Sequence, residues 1–105
     1  MATLVARAAT SPEQLFAAAY ATCFLSTMTV VASQGGPKVP DDATVTAVVG
    51  IGPHSHGGFG LDIQLDIWLP GVTRTDAEAL VRQADLACAY SNAVRNNVPV
   101  RLVVI

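Results

Sequence analysis

The sequence predicts a single α+β domain over residues 1–105, in which a long, buried central helix packs on an antiparallel sheet. Three observations predict this. The run "SPEQLFAAAYATCFLSTMTVVASQGG" carries no charged side chain between Glu13 and Lys38. The segment "LDIQLDIWLP" alternates apolar and polar residues with period 2. Downstream, a second amphipathic run and a closing "VPVRLVVI" complete the order helix, strand, strand, helix, strand.

The first helix is punctuated at both ends. Ser11 is a good N-cap, Pro12 suits the first helical position, and Gln14 completes an S-x-x-Q capping box. Gly35 and Gly36 are placed to end the helix, and Pro37 forbids its continuation. A span of about 33 Å would follow from 1.5 Å per residue, enough to cross a bilayer. The segment is rich in Ala, Ser and Thr and lacks a flanking Lys/Arg asymmetry, so a buried core helix is the expectation and a membrane span its rival.

Val45, Ala47, Val49 and Ile51 share one face of the first strand. In the second, Leu61, Ile63, Leu65, Ile67 and Leu69 share a face, opposite Asp62, Gln64 and Asp66. The glycine-rich "GPHSHGGFG" joins the two as a hairpin loop. Trp68 falls on the polar face, which suggests a cover over that end of the sheet. A second helix is expected from about Arg74 to Ala87, with Thr75 and Glu78 as a capping box and Thr73 as a competing cap. Its apolar positions Ala77, Leu80, Val81, Ala84 and Cys88 have helical spacing, which turns Cys88 toward the core.

Hydrophobic residues make up 51% of the chain and charged ones only 13%, so disorder is excluded and an identical partner chain is expected to cover part of the surface. A net charge of −2 gives no basic patch for nucleic acid. The opening "MATLVARAATSPEQ" has no continuous apolar core of a secretory signal, and a cytoplasmic protein with reduced thiols is the expectation. His54-x-His56 lacks a third ligand and reads as a solvated loop, so no metal is expected. Asp62 and Asp66 read as a solvated face, "GGFG" lacks the context of a phosphate loop, and "SNAVRNN" suits a turn before the last strand.

The two cysteines lack CxxC spacing. Taken alone, Cys23 suits either an inert core hydrophobe or a nucleophile sheltered in an apolar pocket. With Cys88 on the inward face of another helix, a reversible disulfide becomes feasible if the Cα atoms lie within about 7 Å.

"SPEQLFAAAYATCFLS", "VGIGPHSHGGFGLDIQLDIWLPGV" and "ACAYSNAVRNNVPVRLVVI" together resemble the organic hydroperoxide resistance branch of the OsmC/Ohr family. The resemblance runs from Ser11 to Ile105. It implies an intertwined homodimer with its active sites at the subunit interface, and a thiol peroxidase that reduces organic hydroperoxides. By position, Cys23 would be the peroxidatic cysteine, Cys88 the resolving one, and Glu13 the active-site glutamate. No bound cofactor is implied; the reductant would be an external dithiol of the lipoyl type. Phe16, Tyr20 and Phe24 would supply apolar walls that favour an alkyl or lipid hydroperoxide over hydrogen peroxide.

Glu13 and Cys23 stand ten residues apart on one helix, about 15 Å of rise, so Glu13 is expected to serve the partner's Cys23 site. The family's activating arginine precedes the PEQLF helix. Here "LVARAATSPEQ" does not match that stretch around Arg7, and Arg95 belongs to the C-terminal motif. The resemblance therefore implies a member shortened at its start. The alternative reading is a dimer core that is weak or inactive because that arginine is missing.

Overall fold

The structure is a computed structural model that describes residues 11–105. Helix α1 (Pro12–Ala32) begins where expected: the Ser11 side chain accepts from the Gln14 N–H at 3.4 Å. At the far end the Gly36 N–H donates to the Ala32 carbonyl at 3.1 Å, and Gly35 takes φ +111°, a conformation natural to glycine.

Although α1 is apolar all round, the single chain buries one stripe of it. Tyr20, Phe24 and Met28, at i, i+4 and i+8, have no exposed surface, while Val30 on the outer side is 58% exposed. By length and composition the helix could cross a membrane. Here its inner stripe joins the core, so within the single chain burial of the helix follows that stripe.

Strands β1 (Thr44–Pro53) and β2 (Phe59–Trp68) form the expected hairpin, with Thr44 opposite Trp68 and Pro53 opposite Phe59. Its loop closes through His54 N–H to the Gly58 carbonyl at 2.9 Å, with Gly57 and Gly58 at positive φ. Ile63, Leu65 and Ile67 of β2 are fully buried, as the alternation requires. On β1, Val45, Ala47 and Val49 are half-buried but Ile51 is 50% exposed. Trp68 is 43% exposed on the outer face.

The last strand overturns the antiparallel expectation. β3 (Val100–Val104) lies parallel to β2, with Ile63 opposite Val100 and Ile67 opposite Val104, so the sheet is mixed, in the order β1-β2-β3. Period-2 alternation fixes which face of a strand is buried; strand direction is set by the connection. That connection runs through two helices. Helix α2 (Arg74–Ala87) is capped by Thr73, whose side chain accepts from the Asp76 N–H at 3.3 Å, so the competing cap prevails over Thr75. Helix α3 (Ala89–Val94) stands where a turn was expected. Cys88 is the single extended residue between them, at φ −68° and ψ 127°. The buried side of α2, made by Ala77, Leu80, Val81 and Ala84, meets the α1 stripe over the inner face of the sheet.

Candidate functional site

The site forms where α1 meets the α2–α3 junction. Cys23 and Cys88 bring their sulfurs to 3.4 Å, unbonded. Cys88 is fully buried, whereas Cys23 is half-buried. The open side of Cys23 faces a cleft of about 320 Å³ lined by Ser26, Thr27, Val30, Val31 and Ala87. One thiol is therefore reachable from outside, and the other is reachable through it.

The junction also supplies hydrogen-bond donors. As a one-residue break between helices, Cys88 leaves the first N–H groups of α3 free of helical partners. Burial acts to raise the Cys23 pKa. The backbone N–H of Tyr90, the Cys88 thiol, the Ala89 N–H and the Thr27 hydroxyl outweigh it, and Cys23 lies below the ordinary thiol value. For Cys88 burial prevails: its pKa is raised, with the Cys23 contact acting in the same sense against the N–H groups of Ser91 and Tyr90 and the Ser91 hydroxyl. The arrangement makes Cys23 ionise more readily than Cys88, the polarity needed for an accessible nucleophile with a protected second cysteine.

Three aromatic side chains from α1 and α3 pack on one another. Phe16 meets Tyr20 and Tyr90 edge-on, each at 6.1 Å between centroids, and Tyr20 lies 6.0 Å from Tyr90. The Tyr20 hydroxyl bonds the Ser91 hydroxyl at 2.7 Å inside the core. Of the three residues expected as apolar walls, Phe16 is half-buried, while Tyr20 and Phe24 are wholly enclosed in the single chain.

Glu13 is not brought to this pair. It lies in the first turn of α1, about 15 Å along the axis from Cys23, where the Ser11 hydroxyl and its own backbone N–H hold its carboxyl below the usual range. Arg95 is committed elsewhere: it donates to the Asp85 carboxylate at 3.2 Å, the Asp85 carbonyl at 2.8 Å and Asn92 at 2.9 Å. Arg7 lies outside the described residues. Among the described residues no group of three His, Cys, Asp or Glu side chains could hold a metal ion; His54 and His56 pair only with each other, ring to ring at 5.3 Å.

A family described as OsmC-like protein matches residues 6–103. The chain belongs to the OsmC/Ohr family. It is 48% identical over 91 residues to an uncharacterized protein of Acinetobacter baylyi, covering 87% of this chain and 63% of that one. It is 45% identical over 93 residues to an organic hydroperoxide resistance protein of Xanthomonas axonopodis pv. citri, covering 89% and 65%. The crystal structure of OhrB of Bacillus subtilis superposes with a TM-score of 0.85 at 36% identity, covering 91% of this chain and 70% of that one. The chain thus spans less than two thirds of the length of the first two relatives.

In this OsmC/Ohr chain, sequence reasoning found both cysteines but passed over three residues that shape their chemistry. Tyr90 and Ala89 supply N–H groups to Cys23, and Ser91 supplies donors to Cys88. Their position immediately after Cys88 was the available signal, since residues that follow a helix break carry free N–H groups.

Proposed function

We propose that the chain is a two-cysteine thiol peroxidase that reduces organic hydroperoxides to alcohols. The observation that carries this reading is the 3.4 Å approach of a half-exposed, acidified Cys23 to a buried, protonated Cys88. The Cys23 thiolate attacks the peroxide oxygen, the alkoxide leaves as alcohol, and Cys23 becomes a sulfenic acid. Cys88 then displaces water to close the disulfide. Forming the bond requires the sulfurs to approach from 3.4 Å to about 2.05 Å.

An external lipoyl-type dithiol reopens the disulfide, so no bound cofactor is required. The Val30, Val31 and Ala87 side of the cleft, opposite its polar Ser26, Thr27 and Gln34, favours an alkyl or lipid hydroperoxide over hydrogen peroxide. The functional unit is a cytoplasmic homodimer in which Glu13 of one subunit serves the Cys23 site of the other, in keeping with the long separation of the two along α1. Support for the reaction class comes from relatives named organic hydroperoxide resistance proteins.

The rival reading, an inactive dimer core without an activating arginine, requires a Cys23 thiol at or above the ordinary value. The lowered Cys23 pKa speaks against it, because N–H and hydroxyl donors supply part of what an arginine would. Steady-state assays with dihydrolipoamide as reductant should show catalytic loss of cumene hydroperoxide and much slower loss of hydrogen peroxide. No turnover with either peroxide would sink the proposal.

A further inference from the structure

The thiol pair carries a second chemistry that needs no peroxide. Cys23 and Cys88 hold their sulfurs 3.4 Å apart with no bond between them, and both are free thiols. Among the described residues no third His, Cys, Asp or Glu joins them to make a metal-holding group. The pair is a two-point chelate, and its bite selects what it can hold.

At a bond length of about 2.3 Å, that of a zinc–thiolate bond, two sulfurs 3.4 Å apart subtend about 95° at the atom they share. A tetrahedral zinc ion would spread them to about 3.8 Å and would call for further ligands. A linear two-coordinate ion would need about 4.6 Å at the same bond length. A centre with three bonds and one lone pair is pyramidal, with bond angles close to a right angle. Trivalent arsenic is such a centre, and it is soft, so it prefers thiolate sulfur to oxygen.

The surroundings suit the same ligand. Cys88 is fully buried, so a group that bonds it arrives by way of the half-buried Cys23. An organoarsenical held by two thiolates has no net charge, and a buried site takes it in without the desolvation cost of an ion. Its third bond, to carbon, is left to point outward past Cys23. There the cleft of about 320 Å³ opens beside Val30, Val31 and Ala87, with room for an aryl or short alkyl group.

We propose that the reduced Cys23–Cys88 pair is a binding site for trivalent organoarsenicals, R–As(OH)2, held through both sulfurs with the organic group in the cleft beside Val30 and Val31. Two As–S bonds form and two As–O bonds break. Each thiol gives its proton to a departing hydroxide, so two waters leave. Arsenic stays trivalent and neither sulfur is oxidised, so no oxidant or reductant takes part. The site goes beyond the peroxidase reading; where that reading holds, the arsenical blocks the cycle by occupying both of its cysteines.

The test uses phenylarsine oxide and the fully reduced full-length chain. One equivalent should give a single adduct by native intact mass, with both thiols lost to a thiol-specific chromogenic reagent. Excess glutathione, a monothiol, should leave the adduct in place, and dihydrolipoamide, a dithiol, should remove it. Cys23→Ser and Cys88→Ser should each bind at least about a hundredfold more weakly, because the second bond of a chelate closes within one molecule. If serine at the buried position prevents folding, Cys88→Ala gives the same comparison.

Placement of the sulfurs by the fold has its own readout. The arsenical should raise the urea unfolding midpoint, since unfolding separates the two sulfurs and weakens the chelate. A single-cysteine variant that binds as tightly as the parent chain, an adduct stripped by glutathione, or an unmoved midpoint would overturn the proposal. None of these measurements involves a peroxide. A chain that reduces no hydroperoxide therefore overturns the peroxidase reading alone, and the adduct still decides this one.

Discussion

Cys23 Sγ and Cys88 Sγ lie 3.4 Å apart although 65 residues separate them in the sequence. The approach depends on two features of the backbone. Helix α1 runs unbroken past the core and presents Cys23 beside its buried stripe, and the one-residue break between α2 and α3 turns Cys88 inward. The N–H groups freed by the same break act to lower the pKa of both thiols, and the deeper burial of Cys88 outweighs them there.

Replacing Cys88 with serine should stop the cycle halfway. One equivalent of cumene hydroperoxide should then add one oxygen to the protein, trappable by dimedone at Cys23, with no second turnover. Intact mass after a short quench checks this. Continued multiple turnover in the variant would remove Cys88 from the mechanism.

The rate of the first step should follow ionisation of Cys23. The folded pKa is depressed, so the thiolate is present above that value and is lost as pH falls through it. The midpoint of the single-turnover rate constant against pH should fall below about 8.5, the value for free cysteine. A midpoint at or above that of free cysteine would favour the inactive-core reading.

Phe24 is wholly enclosed on the α1 stripe, and truncating it leaves a cavity between helix and sheet. Phe24→Ala should cost about 3–5 kcal/mol of stability, read from the urea unfolding midpoint. A loss under about 1 kcal/mol would mean that the stripe is not the core.

The ion pair between Arg101 and Asp62 bridges β3 and β2 at 3.2 Å, but both side chains are 57% exposed. Asp62→Asn should change stability by less than about 1 kcal/mol in the same assay, and by less still at high salt. A larger loss would show that register between the parallel strands depends on this pair.

How much of this was legible in the sequence varies by element. The start of α1 could be read from Ser11 and Pro12, and the buried face of β2 from its alternation, because both signals are local. The direction of β3 could not, since alternation describes faces and says nothing about strand neighbours. Helix α3 was missed for a related reason: at six residues it is too short for helical periodicity, and its Ser and Asn suit a turn equally well. The all-round apolar character of α1 pointed to full burial, yet one stripe sufficed in the single chain. Cys88 could be assigned to the core by spacing; its distance from Cys23 could not, because that depends on how two helices cross.

The central claim is that these two cysteines form one redox couple driven by an organic hydroperoxide. Its most direct test is to add one equivalent of cumene hydroperoxide to the fully reduced chain and record the intact mass with a peptide map. Loss of two hydrogens, with the Cys23 and Cys88 peptides joined, is the predicted result. An unchanged mass, or oxygen retained on Cys23 with Cys88 still free, would contradict it.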